Sequence, residues 1–187
     1  MISLIYQIAL GGFLLHYYLA IDIGASSGRH ILGSIQNGAL SLEEIYRFEN
    51  KLIRDKSGAL CWDVQYLYSQ ILKGLARCGE LNRVPKTIAI DTWAVDYVLL
   101  DKGKNVLPPV YSYRDDSVKA AVDAVGGIVL QSELYDKTGI QFQPFNTIYQ
   151  LYRDKLSGKL GSARHFLMLP EYFSYLLTGV MTNEYTN

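Results

Sequence analysis

The chain has 187 residues, which is enough for one domain with a real hydrophobic core. Hydrophobic residues make up 49% of the chain and charged residues 19%, so it is globular and not intrinsically disordered. Its 18 basic residues balance its 18 acidic residues, so it has no broad basic field to neutralise phosphates, and we exclude nucleic acid as a partner.

The cysteines and histidines offer no metal or nucleophile pattern. Cys61 and Cys78 match no zinc spacing and are too few for a disulfide scaffold. We therefore expect two half-buried free thiols in a cytoplasmic protein. His16, His30 and His165 are scattered, without a Cys–His or Ser–His–Asp order, and are interpreted as structural or surface residues.

The first segment is apolar and carries no charge as far as Leu15. It lacks the basic region and the small-residue cleavage site of a signal peptide. The apolar run 2–21 approaches the roughly 20 residues of a membrane span, but its far end, 18–23, is better interpreted as a buried strand. We interpret residues 1–17 as a mis-assigned or non-native extension, with a membrane anchor as the less favoured alternative.

Three strands are predicted next, at residues 18–23, 30–35 and 40–48. Leu19, Ile21 and Ile23 in the first of them alternate with small or polar residues. Asn37-Gly38 lies between the second and third strands and is a strong hairpin signal. The chain therefore opens with an antiparallel three-stranded meander.

A helix follows, with Asp63 as its predicted N-cap and apolar residues at helical spacing to about Gly79. Two short strands are predicted at 87–90 and 97–100. Further helical patterns occupy residues 117–125, 129–138, 146–156 and 170–177. This order is that of the α/β ribonuclease-H-like domain of actin/hexokinase-type ATPases, with a mixed sheet flanked by helices.

The segment from Asp22 to Arg29 is suited to binding phosphate. An acid that ends a buried strand can hold a hydrated magnesium ion through water. Gly24 and Gly28 permit close backbone approach, and consecutive small residues expose amides that form a phosphate nest. A strand follows and no Gly-Lys-Ser/Thr does, which excludes dinucleotide and Walker loops. A plain glycine hairpin with a salt-bridged Asp22 remains the alternative.

Three further segments carry side chains suited to a sugar. Asp91, Trp93 and Asp96 supply acceptors and a flat apolar surface, although a capping Asp and a core Trp would explain them as well. Arg114 is followed by two acids, and either it belongs to a sugar site or one of the acids caps a helix. Gln141 and Asn146 in the segment 138–147 suit polyol recognition, and Asn146 capping the next helix is a competing explanation.

Together these segments resemble the FGGY carbohydrate kinases and, within that family, the rhamnulokinase branch. The resemblance covers about residues 19–187. It is carried by ordered motifs at residues 20–29, 61–64, 90–96, 113–115, 138–147 and 173–187.

The resemblance implies ATP-dependent phosphorylation of L-rhamnulose at O1, giving L-rhamnulose 1-phosphate in rhamnose catabolism, with ATP and Mg²⁺ as cofactors. It implies that Asp22 faces the magnesium ion through water. The implied ATP phosphate-binding residues are Ala25, Ser26, Ser27, Gly28 and Arg29. The candidate ketose-binding residues are Trp93, Ala94, Asp96, Arg114 and Gln141.

Two departures from the family qualify these expectations. The family usually has Gly at the position of Ala94, where a methyl group either crowds the sugar or is tolerated. The family's general base, a His-Asp pair, and its second actin-like lobe lie in later segments. We therefore expect no catalytic residue in this chain, a truncated N-terminal domain over 18–187, and a fragment that binds ATP weakly and phosphorylates nothing.

The main alternative is a non-catalytic sugar- or nucleotide-sensing domain of the same fold. In either case, a lobe that normally packs on a partner exposes apolar surface when it is alone. We therefore expect self-association or a homo-oligomer through that surface.

Overall fold

A four-stranded mixed sheet forms the centre of the computed structural model, which describes residues 15–185. The strands are β1 (Tyr17–Ile23), β2 (Ser27–Gln36), β3 (Ala39–Glu49) and β6 (Pro85–Thr92), in the order β3-β2-β1-β6. β1 pairs antiparallel with β2 and parallel with β6, and β2 pairs antiparallel with β3. The predicted fold class and its opening antiparallel meander are confirmed.

The meander follows from local sequence. Leu19, Ile21 and Ile23 are almost fully buried on one face of β1, as their alternation predicts. Asn37 and Gly38 both have left-handed backbone, with φ of 51° and 77°, as a two-residue type I′ hairpin turn requires. The predicted hairpin is present, and its two-residue turn sets the register, with Gln36 paired to Ala39.

The first helix begins where its cap predicts. The Asp63 carboxylate accepts a hydrogen bond from the Tyr66 N–H at 2.9 Å, and α1 runs over Val64–Glu80. A second cap forms at Asp115, whose carboxylate accepts from the Ser117 N–H at 3.0 Å and opens a short 3₁₀ helix.

The remaining helices belong to the second half of the chain, which also contains a second, smaller sheet. In that sheet β7 (Tyr97–Leu100) pairs antiparallel with β8 (His165–Met168). The helices are the 3₁₀ segment Asp116–Val118, α2 (Lys119–Gly126), α3 (Gln131–Thr138), α4 (Thr147–Leu156), α5 (Lys159–Ser162) and α6 (Leu169–Thr178). Within the described residues, β8, α5 and the hairpin of β4 (Leu52–Arg54) and β5 (Leu60–Trp62) are elements that the sequence did not predict.

The sheet is apolar on both faces, but among residues 15–185 helices cover only one of them. Leu67 and Ile71 of α1 are fully buried in the core on that face, and Phe173 of α6 joins the same cluster. On the opposite face Tyr18, Ile35, Leu40 and Leu42 are 41%, 58%, 66% and 64% exposed. A contiguous exposed apolar patch of this kind commonly marks a surface for interaction with another protein. The expected self-association stays a prediction, and this face is the surface on which it would depend.

The predicted extension at residues 1–17 lies mostly outside the described residues. Leu15 and His16 precede β1, and Tyr17 already belongs to it. In the part of the chain from 15 to 185, no helix has the length and apolar character needed to cross a bilayer.

Both cysteines are free, as expected, but the expected half exposure is wrong. Cys61 and Cys78 are each 2% exposed. Cys61 lies in β5 and Cys78 on the inner side of α1, so tertiary packing covers both thiols. Burial raises the pKa of both thiols, which keeps them protonated and unreactive.

Candidate functional site

The turn after β1 is stabilised by hydrogen bonds from Asn50, and two of its backbone amides remain free. Gly24 N–H donates to the Ser27 carbonyl at 2.8 Å. Asn50 clamps the turn, because its N–H donates to Ser26 O at 3.0 Å and its Nδ2 donates to Gly24 O at 2.9 Å. The N–H groups of Ala25 and Ser26 donate no hydrogen bond to any described residue. The turn therefore offers adjacent donors of the kind that bind phosphate oxygens.

The strand ends beside this turn carry charge. Arg29 binds Asp22 through two nitrogens, Nε at 2.8 Å and Nη2 at 2.7 Å, and both contact Oδ2. Asp22 Oδ1 has no hydrogen-bond partner among the described residues. Asp91 on β6 lies directly opposite Asp22 in the parallel register and is exposed. No group of three or more potential metal-ligating side chains occurs among residues 15–185.

Gly28 and Ser27 are the first two residues of β2, and their backbones belong to the sheet. Gly28 is buried, and a Cβ at this position would lie 2.1 Å from the Phe48 ring. Ser27 is half-buried and pairs with Glu49 in the β2–β3 ladder. Of the predicted phosphate-binding residues, Ala25 and Ser26 thus present free amides, while Gly28 is required by packing.

A second turn, residues 93–96, leaves the neighbouring strand β6 at the same edge of the sheet. Val95 has left-handed backbone with φ of 71°, which is costly for a β-branched residue. The Val95 carbonyl accepts hydrogen bonds from Thr147 Oγ1 at 2.9 Å and from Gln150 Nε2 at 3.3 Å. These bonds from α4 hold the turn so that Ala94 is exposed.

Asp96 is fully buried and its carboxylate accepts from four protein donors. Trp62 Nε1, Trp93 Nε1 and the Tyr113 N–H bind Oδ2 at 2.6, 2.9 and 3.0 Å, and Gln150 Nε2 binds Oδ1 at 2.9 Å. Burial raises the pKa of this carboxyl, and the four donors oppose that rise. The predicted sugar contact of Asp96 has no support in this geometry, which gives the residue a positioning role.

An aromatic cluster surrounds this carboxylate, and sequence reasoning identified only one of its rings. The ring centroids of Trp62 and Trp93 are 4.1 Å apart, and Tyr113 lies 6.3 Å from Trp62 and 5.6 Å from Phe145. Trp93 is half-buried, whereas Trp62 is 2% exposed. Trp93 can therefore present a flat apolar surface to a ligand while Trp62 supports it from behind.

The other two predicted ketose residues are exposed. Arg114 stacks over its neighbour Tyr113, with the guanidinium 5.4 Å from the ring centre and Nε donating to the hydroxyl at 3.1 Å. Asn146 does not cap α4 with its side chain, and its Nδ2 instead donates to the Gln141 carbonyl at 2.9 Å. The Gln141 side chain makes no hydrogen bond within the described part of the chain and is free to meet a ligand.

A cavity of about 320 Å³ opens beside the second turn. Its apolar lining residues are Ala94, Val95, Leu134, Ile140, Phe142, Ile148, Tyr149 and Met168. Its polar lining residues are Gln131, Thr138, Asn146 and Thr147. The cavity lies between the 93–96 turn and the α3–α4 region, so it extends the edge of the sheet at which both turns emerge.

The comparison with known sequences is consistent with this arrangement. Residues 17–187 match the N-terminal domain of the FGGY family of carbohydrate kinases. The chain is 49% identical over 175 residues to a rhamnulokinase of Halalkalibacterium halodurans, covering 92% of this chain and 37% of that protein. It is 44% identical over 170 residues to a rhamnulokinase of Bacillus subtilis, covering 91% of this chain and 35% of that protein. The chain thus spans little more than a third of the length of these curated relatives.

Solved structures share the fold. A gluconate kinase from Lactobacillus acidophilus superposes with a TM-score of 0.77 at 20% identity, covering 89% of this chain and 34% of that chain. A ligand-bound xylulose kinase from the same organism gives a TM-score of 0.76 at 19% identity, with coverage of 89% and 34%. These likenesses show that the chain has the fold of these sugar kinases.

Proposed function

Since the chain belongs to the FGGY family of carbohydrate kinases, we propose that it forms the phosphate- and ketose-binding part of a rhamnulokinase. The reaction is transfer of the ATP γ-phosphoryl group to O1 of L-rhamnulose, giving L-rhamnulose 1-phosphate. The rhamnulokinases that the chain resembles support this choice of substrate. The two free, fully buried thiols suit a reducing, cytoplasmic setting.

One observation carries the proposal. The free amides of Ala25 and Ser26 and the turn at Trp93-Ala94 follow adjacent parallel strands, with Ile23 paired to Thr92 in the register. Loops that leave the carboxyl ends of neighbouring parallel strands meet at one edge of the sheet. A nucleotide phosphate and a sugar hydroxyl bound at these two turns would therefore lie beside each other.

The residues of the first turn fit the phosphates and a magnesium ion. Ala25 and Ser26 donate N–H groups, Ser27 adds a hydroxyl, and Arg29 supplies a positive charge. Asp22 Oδ1 is unpaired among the described residues and can accept a hydrogen bond from metal-bound water. Magnesium, when bound, would neutralise charge on the phosphates.

The second turn fits the ketose. Trp93 offers its ring to the C–H face, the exposed Ala94 backbone lies beside it, and Gln141 and Arg114 supply polar groups at the rim. Asp96 acts through Trp62 and Trp93 and does not touch the sugar. No described carboxylate is assigned as general base, so the chain alone positions both substrates and does not transfer phosphate.

Nuclear magnetic resonance titration of the ¹⁵N-labelled chain tests the binding assignment. We expect Mg·ATP to shift the amides of Ala25 and Ser26, and L-rhamnulose to shift Ala94 and the indole of Trp93. Shifts confined to other surfaces would contradict the proposal. A coupled kinase assay should show no turnover, and turnover above the blank would refute the predicted inactivity of the chain alone.

A further inference from the structure

The cavity beside the Ala94–Val95 turn has a volume of about 320 Å³, near the lower end for small-molecule sites. Its walls come from the turn itself, from α3 and from the loop that carries Ile140 and Phe142. Ile140 is 60% exposed and Phe142 is 39% exposed, so these side chains remain accessible to a ligand.

Three of the four polar side chains around the cavity donate to the protein backbone, and Gln131 makes no side-chain hydrogen bond within residues 15–185. Thr138 Oγ1 donates to Leu134 O at 2.7 Å, and Thr147 Oγ1 donates to Val95 O at 2.9 Å. Asn146 Nδ2 is bound to a backbone carbonyl outside the cavity, that of Gln141, at 2.9 Å. The two threonine hydroxyls have therefore committed their only hydrogens, and the lining, eight of whose twelve residues are apolar, favours an alkyl group.

We propose that this cavity receives the methyl end of a 6-deoxyketose. The inference rests on the proposed function and adds a specificity to it. L-Rhamnulose and L-fructose differ only at C6, which is a methyl group in the first and a hydroxymethyl group in the second. When O1 lies toward the amides of Ala25 and Ser26, C6 is at the opposite end of the sugar, and the cavity that Ala94 lines is open to receive it. Val95, Ile140 and Phe142 then act as specificity-determining residues for L-rhamnulose.

Saturation-transfer NMR on the full chain tests this assignment, with L-rhamnulose and L-fructose as the ligands. The methyl protons of L-rhamnulose should receive the strongest saturation of any protons in the sugar. L-Fructose should bind about tenfold more weakly, because a hydroxyl in an apolar pocket is rejected only modestly.

Two variants make the same chemical change at different places. Ile140→Thr puts a hydroxyl into the cavity wall and should largely abolish the preference for L-rhamnulose. Ile53→Thr makes the same change on β4, where the side chain is 45% exposed and outside the cavity, and should keep the preference.

The results separate this subsite from the proposed function. Three results would overturn the methyl subsite and leave ketose binding standing. These are equal saturation of the two ketoses, weakest saturation at the methyl group of L-rhamnulose, and an unchanged preference for L-rhamnulose in Ile140→Thr. Absence of binding by both ketoses to the folded chain would overturn the ketose assignment and the subsite together. Saturation that is strongest at the methyl group, that weakens in Ile140→Thr and that persists in Ile53→Thr would support both the ketose assignment and the methyl subsite.

Discussion

The indoles of Trp62 and Trp93 donate to one and the same carboxylate oxygen, Oδ2 of Asp96, at 2.6 and 2.9 Å. Trp62 belongs to β5 and Trp93 to the turn after β6, so this shared acceptor joins two parts of the chain that are distant in sequence. Since every polar neighbour of the carboxylate donates, the site is matched to the ionised form. The orientation of both rings thus depends on one buried charge.

Asp96→Asn should therefore destabilise the fold by about 3 kcal/mol, because an amide leaves at least one of the buried donors without an acceptor. Urea unfolding followed by far-UV circular dichroism measures the loss. The control Asp123→Asn removes the same charge from an exposed position on α2 and should leave the free energy of unfolding almost unchanged. Equal effects of the two substitutions would contradict the role given to Asp96.

Two glycines of α1 should respond to alanine with opposite signs. A Cβ on Gly74 would lie 2.2 Å from ring atoms of His30, so Gly74→Ala should cost about 2 kcal/mol by overpacking. A Cβ on Gly79 would have nothing within 4 Å of it, so Gly79→Ala should stabilise the protein by up to about 1 kcal/mol through helix propensity. Urea unfolding of the two variants measures the change in the free energy of unfolding. Changes of the same sign would show that close packing against His30 is not the reason for a glycine at position 74.

The stability of the protein should fall as the pH drops below neutral, and His30 is the reason. His30 is fully buried, and burial lowers the pKa of its imidazole below the ordinary 6.5, with the backbone of Ile71 partly opposing. As the pH falls through 6.5, the unfolded chain binds a proton that the folded chain does not, so the free energy of unfolding decreases.

The slope from this residue approaches about 1.4 kcal/mol per pH unit on the acid side of that value. His30→Leu should remove its contribution from the pH dependence, as measured by urea unfolding from neutral to mildly acidic pH. If His30→Leu retains the full slope, another group is responsible.

Gly28, near the start of β2, should behave as a packing residue. Its Cβ position is filled by the Phe48 ring, so Gly28→Ala should cost about 2 kcal/mol. In a Phe48→Leu background, which removes the ring, the same substitution should cost less than half as much. A double-mutant cycle measures the coupling. A coupling near zero would mean that Gly28 is needed for backbone freedom alone.

The parts of the fold that local sequence determines were predictable. The alternation in β1, the Asn37-Gly38 turn and the Asp63 cap each act within a few residues, and the structure has all three. The β4–β5 hairpin and β8 were missed because their strands have three or four residues, too few to show a period. Their pairing depends on tertiary contacts that no local pattern records.

Residue types in the sequence identified the segments of the candidate site but not the contacts within it. The Asp22 turn and Trp93 were identified from sequence, but Asn50, Trp62 and Gln150 were not. Gln150 reaches the 93–96 turn from α4, more than fifty residues further along the chain. Contacts between residues distant in sequence decide whether a carboxylate such as that of Asp96 binds a ligand or other side chains of the protein.

The chain contains only two tryptophans, and both lie at the proposed ketose site with their ring centres 4.1 Å apart. Its tryptophan emission, excited at wavelengths that tyrosine does not absorb, therefore comes from this one place, without background from indoles elsewhere. Any event that moves Trp93 away from Trp62 would change that emission directly. The protein thus carries a native optical probe, and a fluorimeter can follow the occupancy of the site without an added label.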